Sequence, residues 1–265
     1  MLTNIHTHTT FCDGRDTPER CVLSAIDRGF DVLGFSSHAY TPYDLRYCMQ
    51  DLEGYVAEIT ALKEKYRDKI EIYLGIEEDS HALVDRGSFD YIIGSCHYFH
   101  KDGVYYPIDS TPAHFEACFE LFNRDYLALA EAYYSHFCRY IVSREPDVIG
   151  HFDIITKYDE QRGGEMLDDH RYRAIAEHYI GMVAKGRIFE VNSGAMSRGV
   201  RRSPYPAYFL LKCIKKHGGE VLLSSDAHSA DALDFAFDDM KALLRECGFE
   251  FVRVYKDHEF KKERI

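Results

Sequence analysis

Short apolar runs alternate with longer amphipathic stretches from one end of the chain to the other. Runs of three to five residues rich in Val, Ile, Leu, Phe and Tyr predict strands at Leu2–Ile5, Val32–Phe35, Ile70–Leu74, Tyr91–Gly94, Asp147–Ile149, Arg187–Val191, Val221–Leu223 and Phe251–Val254. Between them, helical spacing of apolar residues predicts helices over Pro18–Arg28, Asp51–Tyr66, Pro112–Tyr140, Asp168–Lys185, Pro206–His217 and Asp231–Cys247. Thr17-Pro18-Glu19 reads as an N-cap with proline in the first turn, and Gly29, Gly186, Gly218-Gly219 and Gly248 read as stops. Strand–helix alternation of this kind implies an α/β fold with a parallel sheet, and 265 residues suit a single domain over 1–265. The segment 98–144 is longer than one return to the sheet requires and is rich in Tyr and Phe. It is expected to form an inserted helical element or lid, or else a long outer helix whose aromatics pack on the sheet. The charged tail 256–265 is expected to lie at the periphery.

Composition narrows the class. A formal charge of −12 disfavours nucleic acid or an anionic membrane as the main partner, and no apolar run reaches the length of a membrane span. Eight cysteines lie scattered without a C-x-x-C pair, which fits core thiols in a reducing cytoplasm. The fourteen histidines are the unusual feature, since neutral imidazole is the commonest protein ligand for transition metals.

Their positions sharpen the point. "HTH", "SSHA", "GIEED", "GSCH", "GHFD", "EVN" and "SSDAH" each stand at the end of a predicted strand. In a parallel barrel those ends share one face, where active sites are built. A single histidine beside an apolar run is more often a hydrogen-bonded structural residue than a ligand. His6 and His8, however, are spaced by two, so both side chains project from the same side of an extended strand and one ion can take both. Asp226-x-His228 repeats that geometry at another strand end. Imidazoles and carboxylates without cysteine suit Zn, Mn or Fe(II). Cys12 and Cys96, beside Asp13 and His97, are read as non-ligands.

With these residues in order, His6-x-His8 with Asp13, His38, Glu77 in "GIEED", His97 in "GSCH", His151 in "GHFD" and Asp226-x-His228, the whole chain resembles the polymerase and histidinol phosphatase (PHP) family, in particular its stand-alone phosphatases. That resemblance implies a distorted seven-stranded (β/α) barrel, so one of the eight predicted strands is extra. It also implies three divalent ions: one held by His6, His8, Glu77 and Asp226, a second sharing Glu77 with His97 and His151, a third held by Asp13, His38 and His228. Some relatives have histidine where this chain has Asp13, a departure that bears on the third ion. Glu78 is expected to face away from Glu77, and Asp79 to play a supporting or solvated part.

The activity implied is metal-assisted hydrolysis of a phosphate monoester, with histidinol phosphate as the substrate that this branch suggests. Ions that acidify water and hold phosphoryl oxygens leave positioning to the protein, so the serines of "SSH" and "SSD" need not act as nucleophiles. Glu77, Asp226, His228 and Asp153 are the candidate catalytic groups, with Asp153 equally suited to capping the next segment. A phosphate needs a planar, bidentate cation, which nominates Arg198 in "NSGAMSRGVRRSPYP" and then Arg162. Asn192 either contacts substrate or fixes its loop, and Arg201 and Arg202 read as a solvated pair. Two other readings compete: a related phosphoesterase acting on another small phosphate or nucleotide, and a metal-binding protein without catalysis.

Overall fold

Why one end of this fold is greasy and the other is charged can be read along a single strand. In the computed structural model, which describes residues 1–265, eleven strands follow in chain order. They are β1 (Thr3–Asn4), β2 (Val32–Phe35), β3 (Glu71–Asp79), β4 (Tyr91–Ser95), β5 (Tyr98–Lys101), β6 (Val104–Pro107), β7 (Val148–Ile149), β8 (Ile188–Asn192), β9 (Glu220–Ser224), β10 (Phe251–Lys256) and β11 (Glu259–Arg264). Along β3, Ile72, Leu74, Ile76 and Glu78 alternate with Tyr73, Gly75, Glu77 and Asp79. Tyr73 joins a small apolar cluster with Ile5, Val32, Tyr91, Ile93, Val148 and Leu222. Ile72, Leu74 and Ile76 pack in a separate cluster with residues of the flanking helices. The same inward row that begins with Tyr73 therefore ends with two buried carboxylates at the C-terminal end of the strand.

Seven strands form one parallel sheet in the order β1-β2-β3-β4-β7-β8-β9. The sheet closes on itself through a parallel bridge between Thr7 and Ala227, in which His8 N–H donates to Ala227 O (2.8 Å) and Ala227 N–H to His6 O (3.2 Å). The result is the seven-stranded barrel that the family resemblance implied, wrapped by helices α1 (Pro18–Asp27), α2 (Leu52–Tyr66), α3 (Pro112–Glu120), α4 (Tyr126–Arg144), α5 (Glu165–Asp168), α6 (His170–Val183), α7 (Gly194–Ser197), α8 (Tyr208–Lys216) and α9 (Phe237–Glu246). Thr17 caps α1 as expected, its Oγ1 accepting from Arg20 N–H at 3.3 Å. No helix is long and apolar enough to cross a membrane, and all eight cysteines are free.

The extra strand is β10, which pairs only with β11; the charged tail 256–265 forms most of this hairpin's second strand and lies at the periphery as expected, none of it buried, while Tyr255 joins the apolar cluster inside the barrel. Two expectations need correction. The predicted helix Pro112–Tyr140 is broken, because Asn123 and Arg124 adopt left-handed backbone (φ +52° and +60°) and the Asp125 carboxylate caps a new helix by accepting from Leu127 and Ala128 N–H. The apolar pattern ran through the break and hid it. Finally, segment 98–144 opens not as a helix but as the antiparallel hairpin β5–β6. Its long helix α4 buries Tyr133, Tyr134 and Phe137 in the main core.

Candidate metal centre

Barrel closure itself assembles the first ligands. Thr7 and Ala227 are the middle residues of His6-x-His8 and Asp226-x-His228, so pairing them places the four flanking side chains together. His6 Nε2 and His8 Nε2 are 3.1 Å apart, and Asp226 Oδ1 lies 3.0 Å from His8 Nε2 and 3.7 Å from His6 Nε2. Asp226 sits in the left-handed region (φ +46°), uncommon for a non-glycine residue and often found at functional sites. Its carboxylate is accommodated by Gly194, where any Cβ would stand 2.6 Å from Asp226 Oδ2.

Glu77, 1% exposed, stands at the centre, with its two oxygens serving different neighbours. Oε2 faces His38 Nδ1 (2.8 Å), His6 Nε2 (3.3 Å) and His8 Nε2 (3.5 Å). Oε1 faces His151 Nε2 (2.9 Å) and His97 Nε2 (3.4 Å) and accepts from Ser95 Oγ (2.7 Å). His97 and His151 meet Nε2 to Nε2 at 3.3 Å. A third group gathers around Asp13, whose Oδ1 lies 3.3 Å from His228 Nε2, 3.7 Å from His38 Nε2 and 3.8 Å from His8 Nδ1. The tightest groups, His8–Asp13–His38–His228, His6–His8–Glu77 and His38–Glu77–His97, share His8, His38 and Glu77; His151 and Asp226 join them through Glu77 and His8, so all nine expected ligands converge.

A cage of this kind fits divalent metal. Imidazole nitrogens aimed at one another need a proton or a cation between them. Glu77 Oε2 is buried without a hydrogen-bond donor, the sort of orphan that an ion satisfies. The donor set is nitrogen and oxygen. Cys12 stays outside it, with Sγ 3.4 Å from His8 Nδ1 and its thiol pushed up to about 11, mainly by burial.

Electrostatics agree. Burial alone would raise Glu77, but the imidazoles of His38, His6 and His97 outweigh it and hold the carboxyl well below its usual range. Asp226 is held down in the same way, against burial, by Arg198, His6 and His8. Burial disfavours charge on His6 and His97, yet the surrounding carboxylates raise both rings well above the ordinary histidine value. His8 goes the other way, to about 3, through burial and the proximity of His228 and His38.

Around the cage stand groups that fix it. Glu190 was missed in the sequence reading: its Oε2 lies 2.7 Å from His6 Nδ1, while Oε1 accepts from His151 N–H (2.5 Å) and Asn192 Nδ2 (2.9 Å). The signal was present, since Glu190 and Asn192 have the same i, i+2 spacing at a strand end as His6 and His8. Asp79 is buried and accepts from His97 N–H (2.9 Å) with His97 Nδ1 at 3.3 Å, so it orients that ring. Glu78 faces outward as expected, where Arg144 and Tyr140 engage its carboxylate.

Residues 4–194 match the PHP domain family model. The chain belongs to the PHP family. This PHP chain is 30% identical, over 93% of its length and 94% of the relative's, to a Deinococcus radiodurans protein named "Probable histidinol-phosphatase". It is 25% identical to the histidinol-phosphatase of Bacillus subtilis, covering 91% of this chain and 98% of that one. Among solved structures, the histidinol phosphate phosphatase of Lactococcus lactis, complexed with Zn, L-histidinol and phosphate, shares its fold: the TM-score is 0.70 at 21% identity, over 98% of this chain and 99% of that one.

The PHP cage opens into a cavity of about 350 Å³. Arg198 lines it, donating through Nη1 to Asp226 O (3.2 Å) and lying 3.3 Å from Asp226 Oδ2 through Nη2. Other expected site residues stand elsewhere. Arg162 is paired with Glu116 and lies over Phe115 and Phe119, so its charge is spent on packing away from the cavity. Asp153 is buried but not at the cavity wall; its Oδ2 accepts from Ala207 N–H (3.0 Å), which ties down the loop before α8. Asn192 fixes its loop, with Oδ1 accepting from Gly194 N–H at 2.8 Å. Arg201 is not half of a solvated pair: at 4% exposure it stacks over Tyr205 and donates to Thr156 Oγ1 (2.7 Å), whereas Arg202 is exposed.

Proposed function

We propose that this PHP protein is a metal-dependent phosphatase that hydrolyses L-histidinol phosphate to L-histidinol and phosphate. The observation that carries the chemistry is Glu77, a buried carboxylate with one oxygen turned to His97 and His151 and the other to His6, His8 and His38. Relatives bearing the histidinol-phosphatase name over nearly their full length support the substrate.

In this reading three ions are held as the family resemblance implies, by His6, His8, Glu77 and Asp226, by Glu77, His97 and His151, and by Asp13, His38 and His228. Zinc is the first candidate because the Lactococcus enzyme's complex contains it, and Mn or Fe(II) suits the same donors. Bound divalent ions supply Lewis-acid charge, which brings the ionisation of water near neutral pH and offsets charge on phosphoryl oxygens. The protein's own groups do the rest. Glu190 and Asp79 lock the imidazoles of His6 and His97, and Arg198 offers its fork to the phosphoryl group. Asp226, kept ionised by Arg198 and the histidines, is unsuited to giving the leaving alkoxide its proton; His228, an ion's ligand in this reading and held at Nδ1 by Asp226 O (3.0 Å) and Arg198 Nη1 (2.9 Å), is equally unsuited, which leaves that proton to water in the cavity. Residues 1–265 act as one domain, with Tyr98, Asp109 and Ser110, at and just after the β5–β6 hairpin, walling the cavity.

Phosphate release from histidinol phosphate, nucleoside monophosphates and an aryl phosphate tests the assignment. A clear preference in kcat/KM for histidinol phosphate is expected. Equal turnover of all three would leave a general PHP phosphoesterase in its place.

A further inference from the structure

Besides Arg198 and the cage residues, the cavity is lined by Asp44, Arg46, Tyr47, Tyr98, Asp109 and Lys157. Two carboxylates in that lining outside the cage are unexpected in a pocket for an anionic ester, since each repels phosphate unless something positive lies between. Their surroundings differ. Asp44 is saturated: Arg46 donates to both oxygens (2.8 and 2.6 Å) and Tyr98 Oη donates to Oδ2 (3.0 Å). Asp109 is only half engaged. Lys157 Nζ donates to its Oδ2 at 3.0 Å, and its Oδ1 is left without a donor at the cavity wall.

The position of Asp109 is fixed rather than incidental. The β5–β6 hairpin leaves the barrel directly after His97 and returns to it, where Ile108 N–H donates to His97 O at 2.8 Å. Tyr158 Oη then donates to Asp109 O at 2.8 Å. A free carboxylate oxygen is therefore pinned at a set distance from a cage residue. Burial pushes the Asp109 carboxyl up, but Lys157 and then His97 outweigh it, so that it is held at about 2 and carries full charge at neutral pH.

We infer that Asp109 is a specificity-determining residue whose Oδ1 accepts a hydrogen bond from an ammonium group on the substrate, so that the enzyme selects amino-alkyl phosphates over phosphates of neutral alcohols. The inference rests on the phosphatase reading and adds the group that reads the alcohol portion. With Arg198, the cage and Asp109 all on the wall of one cavity, the site offers positive charge to an ester and a free carboxylate oxygen to an ammonium group on the same molecule. Lys157 orients Asp109 by holding the other oxygen and does not itself contact the amine.

The test compares 2-aminoethyl phosphate with 2-hydroxyethyl phosphate, two esters of equal length that differ in the ammonium group, beside histidinol phosphate and an aryl phosphate. Loss of one charge-assisted hydrogen bond predicts that Asp109→Asn lowers kcat/KM for the two amino esters roughly 10- to 100-fold, chiefly through KM, and barely changes the hydroxy and aryl esters. Lys157→Met should weaken the amine preference less than Asp109→Asn does, because Asp109 keeps its carboxylate but loses the partner that orients it; a larger loss would give the amine contact to Lys157's surroundings and overturn the assignment. An equal loss on all four esters, or an unchanged amino-to-hydroxy ratio in Asp109→Asn, overturns the assignment. So does a wild-type enzyme that turns over both short esters equally well, a result that needs no variant to fold. If histidinol phosphate proves a poor substrate while the amino-to-hydroxy preference persists and depends on Asp109, the substrate reading fails and the role of Asp109 stands.

Discussion

Replacing Glu77 by Gln changes one atom in a buried side chain, yet the geometry predicts a large loss. Oε2 lies within 3.5 Å of nitrogens from His6, His8 and His38, and Oε1 within 3.4 Å of nitrogens from His97 and His151. Gln keeps a single oxygen. Its NH₂ group cannot ligate a cation and turns two hydrogens toward whichever imidazoles it faces. Removing a unit negative charge about 4 Å from a single positive charge at an effective dielectric of about 20 forfeits about 4 kcal/mol, and a doubly charged ion roughly doubles that. Even the smaller figure corresponds to about a thousandfold in affinity. Elemental analysis of purified Glu77→Gln should therefore show substoichiometric metal, and phosphate release should fall at least a hundredfold.

The neighbouring residue supplies the control. Glu78 is just as buried, but it accepts from Arg144 Nε (2.8 Å), Arg144 Nη2 (2.7 Å) and Tyr140 Oη (2.7 Å) on the far face of the strand. Glu78→Gln leaves a mostly buried guanidinium without its counter-charge, which costs about 2–3 kcal/mol, or roughly 5–10 °C in Tm. Metal content and kcat should persist. Near-normal metal and turnover in Glu77→Gln, or metal loss in Glu78→Gln equal to that in Glu77→Gln, would refute the reasoning.

Further outcomes follow from the same geometry. Arg198→Ala should raise KM for phosphate esters about 10- to 100-fold with a smaller change in kcat; an unchanged KM removes Arg198 from phosphate binding. Glu190→Gln should weaken metal binding about 10- to 100-fold in a competition titration, because His6 loses the partner that sets its tautomer, whereas unaltered affinity assigns Glu190 to packing alone. In the metal-free protein, carboxylates overcome burial to raise His6, His38 and His97 above the ordinary value, so these rings hold protons more tightly than a free imidazole and must shed them to coordinate. Calorimetry in buffers of different ionisation enthalpy should then register net proton release on metal binding, with affinity falling as pH drops; no release contradicts that charge state.

The residues of the cage were more legible in the sequence than their surroundings. His6, His8, Asp13, His38, Glu77, His97, His151, Asp226 and His228 stood out because they are metal-type residues at or just after apolar runs, and strand ends converge in a parallel barrel. The i, i+2 spacing even anticipated that His6 and His8 share a side. Partner choice was not readable in this way. Arg162 and Arg198 look alike as arginines in loops, and only packing shows that one lies over Phe115 and Phe119 while the other reaches Asp226. Arg201 reads as half of a solvated pair until Tyr205 and Thr156 enclose it. Asp109 carried no signal at all, since its setting depends on a hairpin that propensity had assigned to an insertion of helical type. The break at Asn123–Arg124 was hidden for a related reason: the buried faces of α3 and α4 continue one apolar rhythm across a change of direction.

The central claim is that one cage of imidazoles and carboxylates binds divalent ions on which phosphate ester hydrolysis depends. Exhaustive chelation of the purified protein, followed by metal analysis and a phosphate-release assay with histidinol phosphate, tests it most directly. The account predicts that activity disappears with the metal and returns when Zn, Mn or Fe(II) is restored. Full turnover by protein shown to hold no metal would contradict it.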